Sequence, residues 1–349
     1  MKTIAKQPWL GNASLELTFI ILPALVPCLL LWLFRGYFDS HTIVTDGWWL
    51  LLVLGIDVSH VYSTSFRFFW EPTLLRRFQP HLIAIPVAAL LLGIMLHSVS
   101  AHVFWRVMAY TAVFHFVRQQ YGFVRLYSRT ETSKASKWID AVSIYAATLY
   151  PLVYWHVHRT DQLSWFVPGD FVTINITDTR ILWYLNGLIV CIYLVKELLL
   201  SIQKGSVNIP KNGIMLGTFV SWYIGIVLAN GDLTFTLLNV VAHGVPYMAL
   251  VWLYGHRAPN PQRVSVPWKD GLMFLGVLLA LAYLEEGLWD MFIWKDHRAL
   301  FPVWQDLPQP PAWLVSVLVP LLSLPQITHY ILDGFIWKRE LPQPTLLDN

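Results

Sequence analysis

The sequence predicts an all-α, polytopic transmembrane bundle of about ten spans. Both termini are expected on the cytoplasmic side, and residues 1–349 form a single integral membrane domain. Three observations predict it. Of the 349 residues, 56% are hydrophobic and only 13% charged, where a soluble domain carries about 25% charged residues; mean hydropathy is +0.52. Ten apolar stretches approach the roughly 20 residues a helix needs to cross a bilayer. Basic and acidic connections between those stretches alternate along the chain.

The first stretch, 17–35, follows a tail with Lys2 and Lys6. It is too long for the apolar core of a signal peptide and no small-residue cleavage site follows it closely, so it reads as a retained helix. The second, 47–66, is joined to the third, 81–100, by a connection carrying Arg67, Arg76 and Arg77. Almost nothing separates the third from the fourth, 102–127, which predicts a tight hairpin. Arg125, Arg129, Lys134 and Lys137 lead into the fifth, 138–157. The sixth, 180–202, is followed by Lys204 and Lys211. The seventh, 212–230, and eighth, 233–255, meet at Asn230-Gly231-Asp232, which is turn chemistry. Arg257, Arg263 and Lys269 precede the ninth, 270–289. The tenth, 312–337, is preceded by the proline-rich patch Pro308 to Pro311 and followed by Lys338 and Arg339.

The other connections are acidic or mixed: Asp39 and Asp46; Asp161, Asp170 and Asp178; Glu285, Glu286, Asp290 and Asp296. With ten spans every basic connection falls on one side of the membrane, the cytoplasmic one, and a count wrong by one would break the alternation. Tryptophans such as Trp48, Trp105, Trp183, Trp289 and Trp313 cluster at span ends, as an interfacial belt should. The basic residues are thus topology signals, and with a net charge of +3 no nucleic-acid partner is expected. Cys28 and Cys191 both lie inside apolar stretches, which argues against a structural disulfide.

Four stretches carry a histidine deep within an apolar run, each with a polar neighbour three or four residues away on the same helical face. These are Asp57 and His60 in the second, His115 and Gln119 in the fourth, Asn239 and His243 in the eighth, and His329 and Asp333 in the tenth. The histidines lie about 10 to 17 residues from the outer ends of their spans. At about 1.5 Å per residue they share a depth to within roughly 10 Å. Ionisable groups inside a membrane are costly and tend to face a common interior. Neutral imidazole is the commonest protein ligand for iron, zinc and copper, and a ligating histidine needs an acceptor to fix its tautomer. The expected metal set is therefore His60, His115, His243 and His329 with Asp57 and Asp333, the carboxylates serving either as ligands or as supports behind them. Iron is the expected ion, with zinc and copper as alternatives. Arg118, Gln119, Tyr121 and Tyr247 are the expected substrate-binding residues. Arg118 could equally neutralise Asp57 or Asp333, or extend its head to the inner interface.

Weaker candidates lie elsewhere. His97 and His102 flank the expected hairpin, His156 and His158 form an H-x-H, and Glu285 and Glu286 are expected to emerge into water. The sequence has no H-E-x-x-H, no G-x-S-x-G and no phosphate-binding glycine loop. It also lacks the dense histidine boxes of membrane desaturases and hydroxylases.

Three blocks, DVSHVYSTSFR (57–67), FHFVRQQYGFVRLY (114–127) and HYILDGFIWK (329–338), resemble a group of uncharacterised bacterial multispan membrane proteins. That resemblance implies a location in the bacterial inner, cytoplasmic membrane. The one-histidine-per-helix arrangement is also similar to that of the bacterial membrane carotene-cleaving dioxygenases, although their motifs do not match residue by residue and ten spans exceed their usual number. This second resemblance implies a non-haem iron oxygenase acting on a lipid or isoprenoid. The expectation is a membrane metal-dependent oxidoreductase among lipids, with an apolar lipid-like substrate. The alternatives are a proton-coupled transporter using the same His, Asp and Arg residues, a haem protein with two axial histidines, and polar residues that only specify packing.

Overall fold

The computed structural model describes residues 7–158, 164–176, 178–229, 231–255, 267–302 and 308–337. Among these the chain is all-helical, with eleven helices. They are α1 (Ala13–Leu33), α2 (Arg35–Ser40), α3 (Asp46–Trp70), α4 (Pro72–Val99), α5 (Ala101–Tyr127), α6 (Lys134–His158), α7 (Arg180–Lys204), α8 (Ile209–Leu228), α9 (Asp232–Gly255), α10 (Lys269–Trp294) and α11 (Ala312–Ile336). Ten of them fall on the ten expected stretches, and α2 is an added short helix. Eight are long and apolar enough to cross a membrane; α5 and α6 are as long but more polar. The protein is therefore read as an integral membrane protein. Lys2, Lys6, Asp161, Asn230, Arg257, Arg263, Lys338 and Arg339 lie outside the described residues.

The chain divides into two compact units, Met1–Ile43 with Ala112–Pro246, and Val44–Thr111 with Tyr247–Asn349. In sequence, α5 passes from the second unit into the first after Thr111, and α9 returns after Pro246.

In the first unit, α1 starts at Asn12, whose side chain accepts from the Leu15 amide and so satisfies one of the open N–H groups of the first turn. The buried Glu16 carboxylate takes the amides of Leu10 (2.8 Å) and Gly11 (2.6 Å) and the Tyr127 hydroxyl (2.9 Å), tying the entry of α1 to the end of α5. A π-helical turn at Leu17–Ile21 precedes Pro23; the wider turn accommodates a residue that lacks an N–H and would crowd the preceding turn. Helix α8 packs on α1 through a G-x-x-x-G pair. A Cβ at Gly213 would meet Ile21 at 2.7 Å, and one at Gly217 would meet Ala24 at 2.6 Å. Small residues at such a crossing let two backbones approach closely, and packing drives association where lipid is as apolar as the side chains.

Helix α7 is apolar outward and ionic inward. It exposes Trp183, Leu188, Val195, Leu198 and Leu199, while its buried residues are Tyr193, Lys196 and Glu197. Lys196 bonds Asp140 of α6 and its neighbour Glu197. Lys211 of α8 bonds Glu197 and, at 2.6 Å, Glu131, and lies 3.7 Å from Asp140. Asn212 donates to Glu197 (2.6 Å) and accepts from Tyr193 (2.9 Å), and Ser136 donates to Glu131 (2.8 Å). Burial raises the Glu131 carboxyl, but the Lys211 ammonium outweighs it and holds the group below its ordinary range. Of this cluster the sequence singles out only Lys211, as a topology signal, because the pairing of residues this far apart in the chain is not written in local order. The α7 helix ends at Gly205 (φ 69°), whose amide bonds the Ser201 carbonyl (2.8 Å), the left-handed stop that glycine adopts without strain.

In the second unit, α4 and α5 are separated by the single extended residue Ser100, and Phe104 lies 5.6 Å from the His97 ring. Gly93 of α4 is the point of close approach to α11, where an added Cβ would meet Pro320 at 2.8 Å. An aromatic cluster of Phe66, Trp70, Trp252 and Phe274 joins α3, α9 and α10. Gly255 is required there, since its Cβ would overlap the Trp70 ring. Arg67 is buried between the Glu71 carboxylate and the rings of Tyr254 (5.1 Å) and Trp337 (5.3 Å), an ion pair reinforced by cation–π contact. Helix α3 is π-helical over Leu50–Val58, ending two residues before His60. Such widened turns recur at functional sites because they re-aim the side chains that follow.

Candidate metal centre

Two of the four expected histidines belong to the first unit. His115 lies on α5, one turn after its unit boundary, and His243 on α9, one turn before its own. Their rings are 5.0 Å apart and nearly perpendicular, at 84°. His243 stacks face to face on Phe116 (3.6 Å, 10°), and Phe116 meets Trp165, which packs against Phe171 and Phe235. The stack holds one ring plane.

The two glutamines of the FHFVRQQ block have a backbone task. Pro246 has no N–H, so the Ala242 carbonyl four residues earlier loses its helical partner. The Gln120 side-chain amide donates to that carbonyl at 3.3 Å, and Gln119 donates to the His243 carbonyl at 2.8 Å. Thr218 in turn donates to the Gln120 oxygen at 3.1 Å. Each glutamine thereby ties α5 to the stretch of α9 that bears His243. Arg118 is exposed, donates to the Tyr145 hydroxyl at 2.7 Å and lies 4.8 Å over the Tyr121 ring, with Tyr121 and Tyr145 stacked at 5.5 Å. Of the expected substrate-binding residues, Arg118 and Tyr121 are thus together, Gln119 is engaged by backbone, and Tyr247 lies in the other unit.

The second unit holds His60 on α3 and His329 on α11, with rings again 5.0 Å apart and nearly perpendicular, at 82°. The Tyr247 ring packs against both. Asp57 Oδ1 is 3.7 Å from His60 Nδ1, and Asp333 Oδ1 is 3.7 Å from His329 Nδ1. His329 Nδ1 is 2.7 Å from Thr64 Oγ1, Thr64 Oγ1 is 2.9 Å from the Tyr247 hydroxyl, and Tyr247 donates to Asp333. Thr64 was not anticipated. It is one turn beyond His60 on α3, a spacing the sequence displays, but threonine in a helix ordinarily bonds its own backbone.

All four histidines are buried, and one ligand-capable nitrogen from each lies within 4.8 Å of the others. Among the described residues this is the one set of three or more His, Cys, Asp or Glu side chains so arranged. The set could therefore hold a metal ion. Asp57 and Asp333, expected as ligands or supports, fall outside the four-nitrogen set and lie against its histidines.

Other candidates resolve differently. His156 and His158 turn back onto the carbonyls of Leu152 (2.7 Å) and Tyr154 (3.1 Å) of their own helix. His97 meets Ser316 at 3.1 Å, and His102 meets Arg106 at 2.9 Å. Glu285 was expected to reach water. It is half-buried instead, because Tyr62 donates to it at 2.6 Å and Trp289 at 3.4 Å.

Comparison with known proteins finds no match: no family model, no curated protein and no solved structure matches the chain. The class is therefore set by the chain itself, a helical integral membrane protein with a buried four-histidine cluster able to bind metal.

Proposed function

We propose that this protein is a ten-span membrane metalloenzyme of the cytoplasmic membrane, with both termini cytoplasmic. Its four imidazoles would hold iron, and its reaction would be oxygenation of an apolar, lipid-like substrate such as an isoprenoid. One observation carries the reading: four buried imidazole nitrogens from four separate helices lie within 4.8 Å of one another. Four neutral nitrogen ligands suit iron, copper or zinc, in contrast to the oxygen sets of magnesium and calcium. A bound iron ion would supply dioxygen chemistry. The chain's own residues would exclude water through the Phe116–Trp165 column and steady the ligands through Gln119, Thr64 and Tyr247. Arg118 and Tyr121 would take the polar end of a substrate.

The test is metal analysis by plasma mass spectrometry of detergent-purified protein beside a His60, His115 and His243 triple-alanine variant. About one equivalent of iron that is lost in a folded variant supports the reading. Purified, folded protein without stoichiometric metal overturns it. The buried Glu131, Asp140, Lys196, Glu197 and Lys211 cluster favours a second reading, proton-coupled transport. That reading requires substrate flux in liposomes without metal.

A further inference from the structure

We propose that Thr64, Tyr247 and Asp333 are positioning residues that set the tautomer of His329 and present its Nε2 as the ligand atom; the proposal rests on the metal reading above. Thr64, Tyr247, His329 and Asp333 all belong to the second unit. Tyr247 donates its proton to Asp333. Its oxygen is then available to accept, and at 2.9 Å its partner is Thr64 Oγ1. A threonine hydroxyl that donates its single proton to Tyr247 accepts from His329 Nδ1 at 2.7 Å. The row therefore runs one way, from His329 Nδ1–H through two hydroxyls to the Asp333 carboxyl.

Neutral imidazole has one N–H and one lone pair. With the N–H held on Nδ1, the lone pair is on Nε2. A carboxylate placed directly behind a ligand histidine does this in many metal sites. Here Asp333 acts at a distance: it is 3.7 Å from Nδ1, beyond a hydrogen bond, while the two hydroxyls bridge the gap. Thr64, Tyr247 and His329 are all buried, so bulk water does not compete for the same positions.

The experiment uses the full chain in detergent with Zn²⁺ as a redox-silent probe. Apparent affinity is read by competition with a chromophoric chelator and stoichiometry by elemental analysis. Wild type should hold one equivalent. Thr64→Val and Tyr247→Phe should keep that stoichiometry but bind about 10- to 100-fold more weakly, the usual effect of losing a supporting hydrogen bond. Thr64→Ser, which keeps the hydroxyl, should bind like wild type. Tyr62→Phe, on the same helix but bonded to Glu285, should also be unchanged. Wild-type affinity in both Thr64→Val and Tyr247→Phe overturns the relay and leaves the metal reading standing. Thr64→Ser as weak as Thr64→Val shows that packing and not the hydroxyl matters, which also overturns it. A wild-type chain that takes up no stoichiometric zinc fails the metal reading and the relay together. If Thr64→Val does not fold, Tyr247→Phe and Thr64→Ser carry the comparison.

Discussion

The two units present the same object, a perpendicular histidine pair at 5.0 Å, in opposite surroundings. In the first unit the pair is held by shape. His243 lies flat on Phe116, and glutamine amides brace the helix backbone behind it. In the second it is held by polarity, with a carboxylate against each imidazole and two hydroxyls threaded beside His329. Aromatic stacking fixes a ring plane. Hydrogen bonds to Nδ1 fix the proton as well. One unit therefore surrounds its pair with aromatic and amide contacts, and the other surrounds its pair with carboxylates and hydroxyls.

The sharpest way to break that comparison is to remove one pair at a time. Replacing His115 and His243 by alanine, or His60 and His329 by alanine, should each abolish stoichiometric metal in folded protein. Retention in either variant would show that the four do not act as a set.

A large effect on stability is expected from Lys211→Met, which leaves the buried Glu131 carboxylate without its ammonium and Asp140 and Glu197 with that of Lys196 alone. Breaking a buried pair this way costs about 3–5 kcal/mol, visible as a marked fall in the thermal midpoint in detergent. A midpoint unchanged by Lys211→Met would remove the ionic account of how α7 and α8 are held in the first unit.

A smaller effect sharpens the role given to the glutamines. Gln120→Leu should cost about 1–3 kcal/mol by leaving the Ala242 carbonyl unsatisfied. Pro246→Ala should suppress that cost, because the new backbone amide can bond Ala242. If the double variant is as unstable as Gln120→Leu, the proline is not the reason for the glutamine.

The smallest effect is on pH dependence. Lys211 holds Glu131 below its ordinary carboxyl value of 4.5. Its contribution is complete above that value and is lost as pH falls through the lower folded value. Thermal midpoints measured from pH 6 downward should therefore fall less in Glu131→Gln than in wild type. Equal slopes would show that Glu131 carries no linkage.

Much of this was legible without coordinates. The lengths of the apolar runs set the long helices, because a helix must bury its backbone polarity across a fixed bilayer thickness. The cost of imidazole in lipid singled out His60, His115, His243 and His329, and the i to i+4 rule placed Asp333 beside His329. Pro246 marked a carbonyl without a helical donor, although nothing in the sequence names the donor. Tertiary structure alone decided that Gln120 supplies it, that Phe116 stacks on His243, and that Thr64 stands between His329 and Tyr247. It also gathered Glu131, Asp140, Lys196, Glu197 and Lys211 into one buried cluster and turned Glu285 toward Tyr62. The physical reason is range. Hydropathy and helical periodicity act within a few turns of one segment and are written in local order. A hydrogen bond or ion pair between residues far apart in the chain, such as Thr64 and His329 or Glu131 and Lys211, exists only after the helices have been packed.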